Sequence, residues 1–169
     1  MKVLAIDPGT KQSAAVVYDA VVGKPDDHIT IENEDMLKIV ADLSNDDDIE
    51  YCFIETIECF GMPVGRSVFA TCEWIGMFML QWRMSGKRLF RVKRAEVKMS
   101  LCQNMRAKDS NIRQSIMDIY GDSRETVIGT KHRKGPLYGI RKDEWSALGI
   151  AIVGCDKVRM QDEWLRLIG

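Results

Sequence analysis

The chain of 169 residues contains no run of eighteen or more apolar residues, which argues against a membrane-spanning helix. The opening MKVLAIDPGT holds a short apolar run that ends in an acid, so it does not read as a secretory leader. No CxxC pair occurs, and the five cysteines (Cys52, Cys59, Cys72, Cys102 and Cys155) are an odd number. That excludes an ordinary disulfide framework and a cysteine zinc site, and it points to a reducing, cytoplasmic setting. Internal repeats and low-complexity tracts are absent. The length suits one domain over 1–169 better than two.

What the chain has is charge in blocks. Its net charge is −1, yet residues 1–82 carry a balance of −10, residues 83–142 one of +11, and residues 143–169 one of −2. A basic middle beside acidic flanks suggests a polyanion partner next to a cation site, unless folding mixes the blocks into surface ion pairs.

Periodicity predicts strands over 2–7, 12–19 and 28–33, a helix over 34–44, and a strand over 50–55. A long helix over about 66–85 and a strand over 88–92 follow. Two short helices are predicted over 94–103 and 109–120. Residues 121–142 form a Gly- and Lys-rich loop, long enough to be functional or mobile. A last helix covers 143–167. The first three strands make an antiparallel meander, and the whole is an α/β domain with a central mixed five-stranded sheet flanked by helices.

Three acids stand where elements begin or end: Asp7 closes the first strand, Glu55 closes the fourth, and Asp143 opens the last helix. Each has a plain explanation, as a turn former, a solvent acid and a dipole partner respectively. Together, beside the basic block, they suit a hard divalent ion such as magnesium. Two such ions would activate a water and stabilise a leaving oxygen at a phosphodiester.

Four stretches in order resemble the RuvC-type Holliday junction resolvases, nucleases of the RNase H-like fold, in their phage-encoded branch. VLAIDPGT (3–10) resembles the strand with that family's first catalytic Asp, and FIE (53–55) the strand with its catalytic Glu. RAEVKMSLCQNMRAKDSNIRQSI (94–116) resembles its DNA-contacting AxxVKxxxxGxGxAxKxxV segment. DEWSALGIA (143–151) resembles the DxxDALAIA of its last helix. The resemblance implies a homodimer that nicks four-way junctions, and other branched DNA, symmetrically with Mg2+ (two ions) or Mn2+ in its place. Asp7, Glu55 and Asp143 would be the catalytic metal ligands. Lys98 and Lys108 would contact DNA, with Arg106 in the same segment.

One position departs from the pattern. The family's last helix offers a second acid where this chain has Ser146, and a hydroxyl is a poor magnesium ligand. Glu144 is an alternative ligand, although i and i+1 point about 100° apart around a helix. Glu58, three residues after Glu55, ranks below it.

The run KHRKGPLYGIRK (131–142) precedes Asp143, and Lys131, Arg133, Lys134, Arg141 and Lys142 would neutralise phosphates along a DNA path. His132 reads as a phosphate contact or plain surface. Tyr138 either stacks on a base or pins the loop. Phe60, in the loop after Glu55, is either a wedge at the junction centre or a loop anchor. The long helix is apolar nearly all round, which suggests burial on two sides and hence a dimer. Two other classes compete. One is a junction-binding protein with impaired catalysis, which Ser146 favours. The other is an actin-like or sugar-kinase-type phosphotransferase, against which stands the lack of a second phosphate loop.

Overall fold

A computed structural model describes residues 1–59, 61 and 63–168; Phe60 lies outside the described residues. Five strands form one sheet in the order β3-β2-β1-β4-β5. They are β1 (Lys2–Asp7), β2 (Gln12–Asp19), β3 (Lys24–Glu32), β4 (Ile49–Thr56) and β5 (Arg88–Lys93). β1, β2 and β3 pair antiparallel, whereas β4 and β5 continue from β1 in parallel. The helices are α1 (Asn33–Ser44), α2 (Arg66–Arg83), α3 (Arg94–Cys102), α4 (Asp109–Tyr120), α5 (Arg124–Val127) and α6 (Glu144–Ile168).

The strands sort their side chains by alternation. On β1, Leu4 and Ile6 face a core that includes Met36 and Val40 of α1 and Phe78 and Trp82 of α2. Val3 and Ala5 face the other way, into a core with Val97 of α3, Ile112 and Ile116 of α4, and Leu148 and Ala151 of α6. Asp7 has the parity of Val3 and Ala5, and Glu55 has the parity of Phe53, which lies in that second core. Both acids therefore leave the sheet on the α6 side. α6 packs closely there: a Cβ built on Gly154 would lie 2.4 Å from the Phe53 ring, so only glycine fits.

Two expected boundaries differ. β3 begins at Lys24 rather than 28, because its first residues, KPDD, are a polar edge strand without apolar alternation. A break in register between Val17 and Tyr18 accommodates Pro25 there. The 121–142 segment is not a free loop. It holds the short α5, with the Ser123 hydroxyl accepting from the Thr126 N–H, and a bridge between Gly129 and Lys134. Leu137 and Ile140 are buried in the α6-side core and anchor it.

Candidate functional site

Register builds the site first. Ile6 of β1 pairs with Ile54 of β4, so the next residues, Asp7 and Glu55, end adjacent parallel strands side by side. Neighbouring strands lie about 4.8 Å apart, which brings the two carboxyls together. The turn after Asp7 is braced by buried polar groups. The Gly9 N–H donates to Ser13 Oγ (3.2 Å), the Ser13 hydroxyl donates to Asn33 Oδ1 (2.6 Å), and Asn33 Nδ2 donates to the Gly9 carbonyl (3.0 Å). Ser13 and Asn33 are almost wholly buried. A Cβ on Gly9 would sit 2.2 Å from the Gln12 carbonyl oxygen, so this tight return requires glycine.

The pair is electrostatically strained without a cation. Burial, then repulsion from Glu55, pushes the Asp7 carboxyl up to about 8. The Ser146 hydroxyl faces Asp7 and favours its charged form. Burial also raises Glu55, against the pull of the Arg94 guanidinium. Glu55 Oε2 is buried and has no hydrogen-bond partner among the described residues, although an Arg94 amino nitrogen lies 3.5 Å away. Buried oxygens of this kind are rarely left unpaired.

Asp143 and Ser146 line an adjoining hollow of about 270 Å³ with Arg94, Asp109, Arg113, Lys142 and Trp145. Lys142 adopts the left-handed backbone (φ 42°) immediately before Asp143, uncommon for a side chain without glycine's freedom. Among the described residues, no three His, Cys, Asp or Glu side chains converge as a ready-made cluster for one ion. The pair of Asp7 and Glu55, with its orphaned oxygen, is nevertheless a hard-oxygen set that a divalent cation would satisfy. Asp143 stands exposed at the hollow's edge, near enough to raise Asp7 further.

Glu144 does not join them. Its Oε2 lies 2.9 Å from His28 Nδ1 and accepts the Arg141 N–H at 2.8 Å, while Oε1 accepts from the Thr30 hydroxyl at 3.3 Å. It is buried and ties the start of α6 to β3, so the helix geometry that separates i from i+1 turns it away from Asp7. Glu58 is engaged by Lys93 at 2.7 Å.

The basic residues distribute around this crevice. Lys98 acts on Glu55 from α3, and Lys142 lines the hollow. Arg106 and Lys108 line a separate groove at the α3–α4 turn. Arg133 and Lys134 line another beside α5, and Lys131, His132 and Arg141 are exposed on the same segment. Tyr138 is half-buried with Lys134 Nζ 5.2 Å from its ring centre.

Three residues escaped the sequence reading: Arg94, Asp109 and Arg113. Arg94 bridges Glu55 and Asp109. The Arg113 guanidinium lies 4.6 Å from the Trp145 ring centre, and its Nε is buried without a hydrogen-bond partner among the described residues. Their only sequence signal was a place in the basic stretch 94–116.

No protein-family model matches the chain, and no curated protein matches it in sequence. Solved structures do match its backbone. RuvC of Thermus thermophilus, in complex with a Holliday junction substrate, superposes with a TM-score of 0.71 over 95% of this chain and 96% of that one, at 16% identity. A second Thermus thermophilus RuvC structure gives 0.68 over 95% and 97%, at 15% identity. The fold is that of RuvC.

Proposed function

We propose that this protein is a divalent-metal-dependent endonuclease that nicks four-way DNA junctions, and other branched DNA, as a homodimer. One observation carries the reading: two acids end adjacent parallel strands, with a buried oxygen of Glu55 unpaired among the described residues, beside a hollow lined by Asp143, Arg94, Arg113 and Lys142. The fold is one in which a solved relative is complexed with a Holliday junction.

Asp7 and Glu55 would hold magnesium, or manganese in its place, with Asp143 at the open side. When bound, the ion would polarise a phosphodiester and lower the pKa of an attacking water. The chain's own groups do the rest. Ser146 orients Asp7 and favours its charged form. Arg113 and Lys142, on the hollow, pair with phosphate oxygens and place the scissile group against the acids. Lys98, Arg106, Lys108, Lys131, Arg133, Lys134 and Arg141 neutralise the backbone of the arms. In the net reaction water adds to phosphorus, one P–O ester bond breaks, and the leaving oxygen takes a proton.

Support for a second copy comes from α2 and its C-cap Met84: Phe69, Leu80 and Met84 are 58%, 64% and 74% exposed at helical spacing. Phe78 and Trp82 on its other face are fully buried in the core. An apolar stripe of this kind suits a self-complementary two-fold interface. Leu80→Glu is expected to yield monomers by sedimentation velocity.

The test is a nicking assay on an immobile four-way junction and a matched linear duplex, with and without magnesium. Paired nicks on the junction alone, and only with metal, are expected. Junction binding without nicking in either magnesium or manganese would make this a binding protein, with Ser146 the reason.

A further inference from the structure

The crevice carries a cation of its own. One amino group of Arg94 lies 3.5 Å from Glu55 Oε2, and the other holds Asp109 Oδ1. Arg94 lines the hollow beneath Asp143 and Ser146, and also the smaller one that runs along Glu55 to Glu58. Its side chain is 29% exposed, whereas Asp109 is 80% exposed and well screened by water. Asp109 therefore acts as a tether that fixes the guanidinium and adds little charge to the site.

Asp7 and Glu55 stand together at the strand ends, Asp143 is exposed at the hollow's edge, and Ser146, the next polar group, brings no charge. One divalent ion together with one guanidinium neutralises three carboxylates. Two divalent ions would leave a surplus of two positive charges in a half-buried site, beside a guanidinium that cannot lose its proton. A guanidinium also presents paired donors that match two oxygens of a phosphate.

We propose that Arg94 supplies the second positive charge of the nuclease centre, so that each chain takes one divalent ion rather than two. This rests on the nuclease reading above and departs from the two-ion expectation drawn from the sequence. Arg94 faces Glu55 Oε2 at 3.5 Å and, once DNA is bound, would donate to the phosphate oxygens. Ser146 fits the same economy, since a second ion would need the carboxylate that this position lacks.

Manganese titration by calorimetry and electron paramagnetic resonance, alongside nicking rates, tests the proposal. Wild type is expected to bind one Mn2+ per chain. Arg94→Met is expected to bind Mn2+ about fivefold more tightly, because a like charge has gone. It is expected to nick about 100-fold more slowly, because a preorganised donor has gone. Tighter metal with slower chemistry is a signature that a purely structural role would not produce. Arg94→Lys should recover part of the rate, and Arg94→Met with Ser146→Asp should take up a second Mn2+.

Two ions of similar affinity per wild-type chain, or Arg94→Met nicking at the wild-type rate, would overturn the proposal. If Arg94→Met does not fold, Arg94→Lys and Asp109→Asn carry the test, with slower nicking and one Mn2+ per chain expected of each. An Asp7→Asn protein that binds Mn2+ like wild type would remove the site reading itself, and this proposal with it.

Discussion

Asp7 and Glu55 end adjacent parallel strands, whereas Asp143 and Glu144 stand side by side at the start of α6. The strand pair is fixed by register. Both residues share a parity, so neither can leave the crevice without a slip that would turn a whole strand over. The helix pair is divided by rotation. One step along α6 sends Asp143 to the hollow and Glu144 to His28 and Thr30. The same residue types in neighbouring places thus differ in kind: the strand pair holds two carboxyls in mutual repulsion, and Glu144 is satisfied by His28, Thr30 and the Arg141 N–H. Adjacent acids on a helix say little about a shared site, while acids at equal register on parallel strands say much.

The largest break in this comparison is Asp7→Asn. It removes the proposed metal ligand and a repulsive charge together, so nicking should fall by at least about 1,000-fold while junction binding holds or tightens. A gel-shift beside the nicking assay reads both. Asp143→Asn should cost less, roughly 10- to 100-fold in rate, because an exposed helix-start ligand leaves the strand pair intact. A smaller effect separates the crevice from the DNA path. Replacing Lys131, Arg133 and Lys134 together by Ala should lower the slope of log affinity against log salt by about 2 to 3, with the nicking rate at saturation little changed. An unchanged slope would move the DNA path elsewhere. The smallest effect on chemistry belongs to Glu144→Gln. It should lower stability by about 1–2 kcal/mol in thermal unfolding, through the His28, Thr30 and Arg141 contacts, and change the rate only a few-fold.

Most of the fold was legible because apolar spacing dictates it. The runs VLAI and AAVVY and the long apolar stretch of α2 bounded by glycines read as buried elements. What stayed hidden had no local signal. The start of β3 is polar because it lies at the sheet edge. α5 is a single turn set by a serine cap. Of the proposed site, Asp7, Glu55 and Asp143 stood out as punctuation at element ends. The partners of Glu144 were not, since His28 and Thr30 are 116 and 114 residues away in sequence. Arg94 was hidden for the same reason: its role comes from Glu55 and Asp109, contacts that only the folded sheet and α4 provide.

The claim that the strand-end pair is kept for a cation has a direct measurement in thermal stability against pH, with and without magnesium, for wild type and Asp7→Asn. The sign follows from the raised Asp7 carboxyl, which titrates near 8 in the fold against an ordinary value of 3.8. The metal-free fold binds this proton more tightly than the unfolded chain does. Its stabilising contribution is therefore full below pH 3.8 and is lost as pH rises through about 8. Metal-free wild type should lose stability between pH 5 and pH 8, by roughly 1–3 kcal/mol. Magnesium should restore it at pH 8, and Asp7→Asn should flatten the slope and ignore the metal. A wild-type profile that is flat without metal, or identical with and without magnesium at pH 8, would contradict the account.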